Sequence, residues 1–116
     1  MPKQVKSVGQ IEAAVSEAMI KFEREHMGRG PTKTRTYMLD DLVVVRLEGV
    51  LTPAEQQLAK DSQGVKLLKE VRCNLIEGAR ERLKQMVFEH TGREVISMHS
   101  DISAKMGERI IVFTLR

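Results

Sequence analysis

The segment from Arg24 to Arg35 gathers four cations, Arg24, Arg29, Lys33 and Arg35, around Gly28-Arg29-Gly30-Pro31, with Glu25 as its single acid. Closely spaced glycines let a backbone approach an oxyanion and present N–H groups to it, so the chemistry offered here is small-anion binding. Arg46 joins the set if Asp40-Asp41 is a two-residue turn, because Arg35 and Arg46 then stand opposite each other. Like charges directly opposite are unfavourable, and an anion or acid between them relieves the repulsion. The plainer reading is that Gly28 stops a helix, Pro31 starts a strand and the arginines are solvated. A phosphate-binding P-loop is excluded. That motif needs a glycine before its lysine where Thr32 stands before Lys33, and it needs a strand first and a helix second.

A second candidate is His99 with Asp101, two apart and therefore on one face of a strand together with Ser97. Such a pair orients an imidazole for proton transfer or supplies two metal ligands, but two ligands do not make a site. An exposed polar row is the plainer reading, and His26 and His90 fall at helix ends with no visible partner. Cys73, the sole cysteine, lies among Val71 and Leu75 on a helix, which reads as a buried structural thiol rather than a nucleophile. No catalytic constellation and no cofactor motif emerge, so the expectation is a binding protein rather than an enzyme. Its candidate ligand-binding residues are Gly28, Arg29, Gly30, Pro31, Lys33, Arg35, Arg46, His99 and Asp101.

The elements that must position these residues follow from periodicity and caps. Ile11, Ala14, Val15, Ala18, Met19 and Phe22 recur at helical spacing, predicting an amphipathic helix over residues 7–27 with Ser7 and Gln10 at capping-box spacing and Gly28 as its stop. Two β-rich runs, Arg35 to Leu39 and Leu42 to Leu47, flank Asp40-Asp41 as a hairpin. In Leu51-Thr52-Pro53-Ala54-Glu55, Thr52 caps, Pro53 needs no N–H partner and Glu55 completes the box, so a short helix runs from Pro53 to about Lys60. After Gly64 one long helix continues to about His90, its inward stripe being Leu68, Val71, Leu75, Ala79, Leu83 and Met86, and Gly92 ends it. Val95 to Ile102 and Arg109 to Leu115 form a second hairpin. The expected architecture is α+β, in the order α-ββ-α-α-ββ, with an antiparallel sheet of two hairpins packed against long helices. Both faces of the last strand are apolar, so something must cover the second, and a homodimer is the simplest cover.

At 116 residues and 13.2 kDa the chain is the size of one domain, spanning residues 1–116. Hydrophobic residues are 41% and charged residues 30%, which excludes a disordered chain. The longest apolar runs, such as Leu42 to Val45, fall far short of the roughly 20 residues a spanning helix needs. The stretch from Met1 to Ser7 has no apolar run after its lysines, so no secretory leader is expected. A single cysteine fits a reducing, cytoplasmic setting. The net charge of +3 is only mildly basic, and four aromatic residues, mostly in apolar strips, argue against a base-stacking surface. A DNA-binding reading places Lys66, Lys69 and Arg72 at the start of the long helix after a Gly64 turn. That helix is long for groove recognition, and Glu70, Glu77, Glu81 and Glu89 interrupt its charge, as on a solvated face.

Taken in order, Gly28-Arg29-Gly30-Pro31, Asp41-Leu42-Val43-Val44-Val45-Arg46-Leu47, Leu51-Thr52-Pro53-Ala54-Glu55, and Thr91-Gly92-Arg93 leading to His99-Ser100-Asp101 resemble one bacterial family, MpsC. The closing strand from Arg109 to Leu115 agrees. This family, first described as a domain of unknown function, is named for a sodium-translocating, membrane-potential-generating system. The resemblance covers nearly the whole chain. It implies a soluble accessory or regulatory component of a membrane ion or bicarbonate transport system, cytoplasmic or peripheral at the inner membrane face, with membrane transport subunits as partners. It carries over no catalytic residue. The alternative function is a nucleic-acid-binding regulator that uses the basic loop and helix.

Overall fold

The first helix begins where the sequence places its cap. In the computed structural model, which describes residues 6–116, the Ser7 hydroxyl accepts from the Gln10 amide while the Gln10 side chain accepts from the Ser7 N–H. This closed capping box starts α1 (Val8–His26), and Gly28, at φ +84°, turns the chain away from it. Residues 1–5, which carry most of the no-leader expectation, lie outside the described residues. Strands β1 (Lys33–Leu39) and β2 (Leu42–Glu48) follow, joined by the two-residue turn Asp40-Asp41 with Leu39 opposite Leu42. Asp40 takes the left-handed conformation at φ +58°, which a short polar side chain tolerates.

Helix α2 (Pro53–Leu58) opens on a second complete capping box between Thr52 and Glu55. Removing that cap with Thr52→Ala is expected to cost about 1 kcal/mol, read as a lower urea midpoint at unchanged slope. Asp61 then caps α3 (Ser62–Gly78) through the Gly64 amide at 2.7 Å. The long helix of the sequence reading is two helices, because the ladder breaks at Ala79 before α4 (Arg80–Thr91) resumes. Gly78, a poor helix former, immediately precedes the break. Strands β3 (Val95–Ser103) and β4 (Glu108–Leu115) close the chain as a hairpin.

The four strands form one antiparallel sheet in the order β1-β2-β4-β3, so the two hairpins join where β4 pairs with β2. The architecture is thus the expected α+β sheet of two hairpins. One face presents Val43, Val45, Leu47, Ile111, Phe113 and Leu115 to a core completed by Val15, Met19 and Phe22 of α1 and by Leu68, Ile76, Leu83 and Val87 of α3 and α4. Burying each such side chain stabilises the fold by about 1.5–3 kcal/mol.

Two expectations about α3 are corrected. The inward stripe is Leu68, Arg72, Ile76, Ala79, Leu83 and Val87, whereas Val71 and Leu75 are 47% and 40% exposed. Apolar residues occupy two adjacent stripes of this helix, and the one containing Arg72 turns inward because the buried Glu23 and the partly buried Glu55 receive that arginine. Cys73, next to Arg72, is consequently exposed and is not a buried structural thiol. Both outer strands are partly blocked along their edges. Glu12 of α1 accepts from the Met38 amide of β1 at 2.8 Å, and on β3 the Asp101 carboxylate takes the Ile102 amide at 2.8 Å.

Candidate functional site

The turn after α1 is held from two sides. Arg29 Nη1 donates to the Leu51 carbonyl at 3.2 Å, tying the loop to the segment before α2. The Arg24 guanidinium lies beside Gly30, where an added Cβ would come within 3.7 Å of its Nε. Among the described residues the N–H groups of Gly28, Arg29 and Gly30 find no backbone acceptor. The next amide that does, Thr32, already bonds to the Glu48 carbonyl at 2.8 Å and belongs to the sheet margin. The loop therefore presents a short run of unused donors next to an arginine, while Pro31 contributes none.

Arg35 and Arg46 stand opposite each other, as the two-residue turn requires. The acid that relieves their repulsion comes from the chain itself. Glu108 accepts from Arg46 Nε at 2.8 Å, and Glu48 lies 3.7 Å from its Nη2. The Glu108 hydrogen bond also holds the Arg46 pKa above its ordinary value. Lys33 meets Glu48 at 4.0 Å. Of the predicted cations, Arg29, Lys33 and Arg46 thus have internal partners, and Arg24 and Arg35 make no ion pair among the described residues.

His99 and Asp101 share the open face of β3 with Ser97, opposite Val112, Ile110 and Thr114 respectively. They lie on the far outer strand from β1, so the structure does not bring them to the Gly28-Pro31 loop. Asp101 is held by the Ile102 amide and by Lys69 Nζ at 3.5 Å. No group of three metal-ligating side chains is present among the described residues. His26 does have partners: its ring stacks on Phe22 at 4.9 Å between centroids, and Nε2 is 3.3 Å from the Leu75 carbonyl.

A buried ionic cluster escaped the sequence reading. Arg109 Nε lies 3.1 Å from Glu23 Oε1, and Arg72 Nη1 lies 3.9 Å from Glu23 Oε2. Arg72 also grips Glu55, with Nε at 2.7 Å and Nη2 at 2.5 Å, and donates to the Val50 carbonyl at 2.8 Å. Burial drives the Glu23 carboxyl toward its neutral form against the pull of Arg109 and Arg72, and it likewise lowers the Arg109 pKa against the pull of Glu23. Partial burial acts to raise the pKa of Glu55, but the Arg72 hydrogen bond, aided by Thr52, outweighs it and holds this carboxylate below its ordinary range. A signal was present: Glu23 completes the helical spacing of Val15, Met19 and Phe22, and Arg109 begins the alternation of Ile111, Phe113 and Leu115. Of the three cations that the DNA-binding reading places together, Arg72 is buried and Lys69 lies 3.5 Å from Asp101, and Lys66 is exposed.

The family model described as "Na+-translocating membrane potential-generating system (MpsC)" matches residues 7–116, and the chain belongs to that family. Two relatives come from Bacillus subtilis (strain 168). The uncharacterised protein YbcI is 38% identical over 110 residues, which is 95% of this chain and 89% of the relative. The uncharacterised protein YrhF is 26% identical over 94 residues, covering 80% of this chain and 77% of its own length. No solved structure gives a significant match. Family membership links the chain to a membrane-potential-related system. No helix among the described residues is long and apolar enough to cross a membrane.

Proposed function

We propose that this protein is an accessory or regulatory component of a membrane ion or bicarbonate transport system, working at the inner membrane face. It binds a partner subunit or a small anion through the Gly28-Pro31 loop. The observation that carries this reading is the run of unused N–H groups at Gly28, Arg29 and Gly30 beside Arg24. Such a run suits a carboxylate of a partner as well as a free anion.

The same reading includes a homodimer formed through the open sheet face. Leu42, Val44, Ile110 and Val112 are half-buried there, and Tyr37 and Leu39 are exposed. Blocked strand edges favour face-to-face contact over strand addition.

Affinity purification from the native cells tests the reading, with mass spectrometry and absorbance at 260 nm on the eluate. Membrane transport subunits are expected to co-elute with the wild type and to fall at least about tenfold with Arg24→Ala, the change lost with about 1.4 kcal/mol of binding. Arg46→Ala, whose guanidinium already serves Glu108, is expected to retain them. Nucleic acid in the eluate, surviving moderate salt, would instead overturn the transport assignment.

A further inference from the structure

Between α3 and β3 a small cleft of about 20 Å³ is lined by Lys69, Cys73, Ser100, Asp101, Ile102 and Arg109. Cys73 and Asp101 are exposed and form its rim, while Ile102 and Arg109 are buried and form its inner wall. Arg109 is only 1% exposed, and neither its Nε nor its Nη2 makes a hydrogen bond, nor do the two carboxylate oxygens of Glu23, one of which lies 3.1 Å from Nε. A buried guanidinium N–H left without an acceptor is costly, so native structures rarely leave one unmet. Ser100, which also lines the cleft, brings a hydroxyl as a second donor, and Lys69 brings an ammonium that it shares with Asp101 at 3.5 Å. Three donors around a space holding one water-sized particle, which needs about 10–15 Å³, fit a compact anion and exclude phosphate or a carboxylate-bearing metabolite on size.

The surrounding charges fix what must accompany that anion. Lys69 faces Asp101 at 3.5 Å, Arg72 grips Glu55, and Arg109 meets Glu23, with Cys73 and His26 as the remaining titratable neighbours. With all three carboxylates ionised this set is already neutral. We propose that the cleft binds one small monovalent anion of chloride size, and that the anion enters together with a proton taken up by the Glu23 carboxylate. The proton leaves the Arg109 guanidinium positive without its counter-charge, and the anion supplies the missing one. Burial, which already pushes the Glu23 pKa up, makes this carboxylate the group that accepts the proton.

The probe is sodium chloride against sodium gluconate at equal ionic strength, using the full chain. Chloride NMR line width reads binding directly, and the thermal midpoint reads linkage to folding. Chloride is expected to broaden and to raise the midpoint, more strongly at about pH 5 than at about pH 8. Ser100→Val removes one donor without touching the ionic cluster and is expected to weaken chloride about tenfold. Alkylation of Cys73, the sole cysteine, is expected to slow in chloride and not in gluconate. Equal behaviour in the two salts would overturn the proposal and leave only water in the cleft. A chloride effect unchanged in Ser100→Val would place the ion elsewhere, and an effect that does not grow as pH falls would remove the coupled proton.

Discussion

Gly64→Ala is expected to destabilise this protein strongly. Gly64 is buried in the first turn of α3, and an added Cβ would sit 1.6 Å from the Leu58 carbonyl oxygen and 2.7 Å from its carbon. Both partners are backbone, so no rotamer change relieves the overlap, and α2 must move away from α3. That movement also strains the bond from the Gly64 amide to Asp61. The cost should be about 3 kcal/mol or more, lowering the thermal midpoint by roughly 10–20 °C. Gly78→Ala is the control, since its Cβ would meet nothing within 4 Å. That substitution should be neutral or stabilising by up to about 1 kcal/mol. A Gly64→Ala protein melting within a few degrees of wild type would show that the two helices do not meet in this way.

Breaking the buried pair from one side should have a comparable effect. Glu23→Leu leaves Arg109 charged, buried and without its nearest carboxylate, and breaking a buried pair in this manner costs about 3–5 kcal/mol. Arg109→Met is expected to cost less, because Glu23 keeps Arg72 at 3.9 Å and takes up a proton more readily than an exposed acid. The double variant should recover much of the loss, since apolar side chains of similar volume often replace a buried ion pair at no net cost. Denaturation midpoints of the four proteins give the coupling; strict additivity would mean that the pair is not energetically joined.

The pH dependence separates the two acids of the cluster. A raised folded pKa at Glu23 means that its contribution is complete below the ordinary value of 4.5 and is lost as pH rises through the folded value. The lowered pKa of Glu55 works oppositely: its contribution is complete above 4.5 and is lost as pH falls through its folded value. Glu23→Leu should therefore remove the decline on the alkaline side of 4.5 and keep the one on the acid side.

What could be read from sequence alone was what is decided within a few residues. The boxes at Ser7-Gln10 and Thr52-Glu55 and the turn at Asp40-Asp41 are local hydrogen-bonding and steric choices, and each formed as the residue types require. The ordered motifs also carried the family. The inward stripe of α3 was not decided locally. Leu67, Val71 and Leu75 have helical spacing as good as that of Leu68 and Ile76, and the choice depends on Arg72 reaching Glu55, 17 residues away. The loop cations were visible for the same reason as the caps, and their partners were not. Arg29 finds a carbonyl 22 residues on, and Arg46 finds an acid 62 residues on. Glu23 and Arg109 could be noticed as charges inside apolar patterns, but only the packed sheet shows that each is the other's partner.

The position of β4 has a consequence for how the chain reaches its fold. The first hairpin and the helices form from near neighbours, yet the strand joining both hairpins is the last described element, and its Glu108 meets Arg46 across 62 residues. Closing so long a loop costs conformational entropy before the core returns any of it. During synthesis, a nascent chain that has passed α4 has only the two strands of its first hairpin to cover its apolar helices. The interval until β4 arrives is when this protein is most open to capture by a chaperone or by another copy of itself.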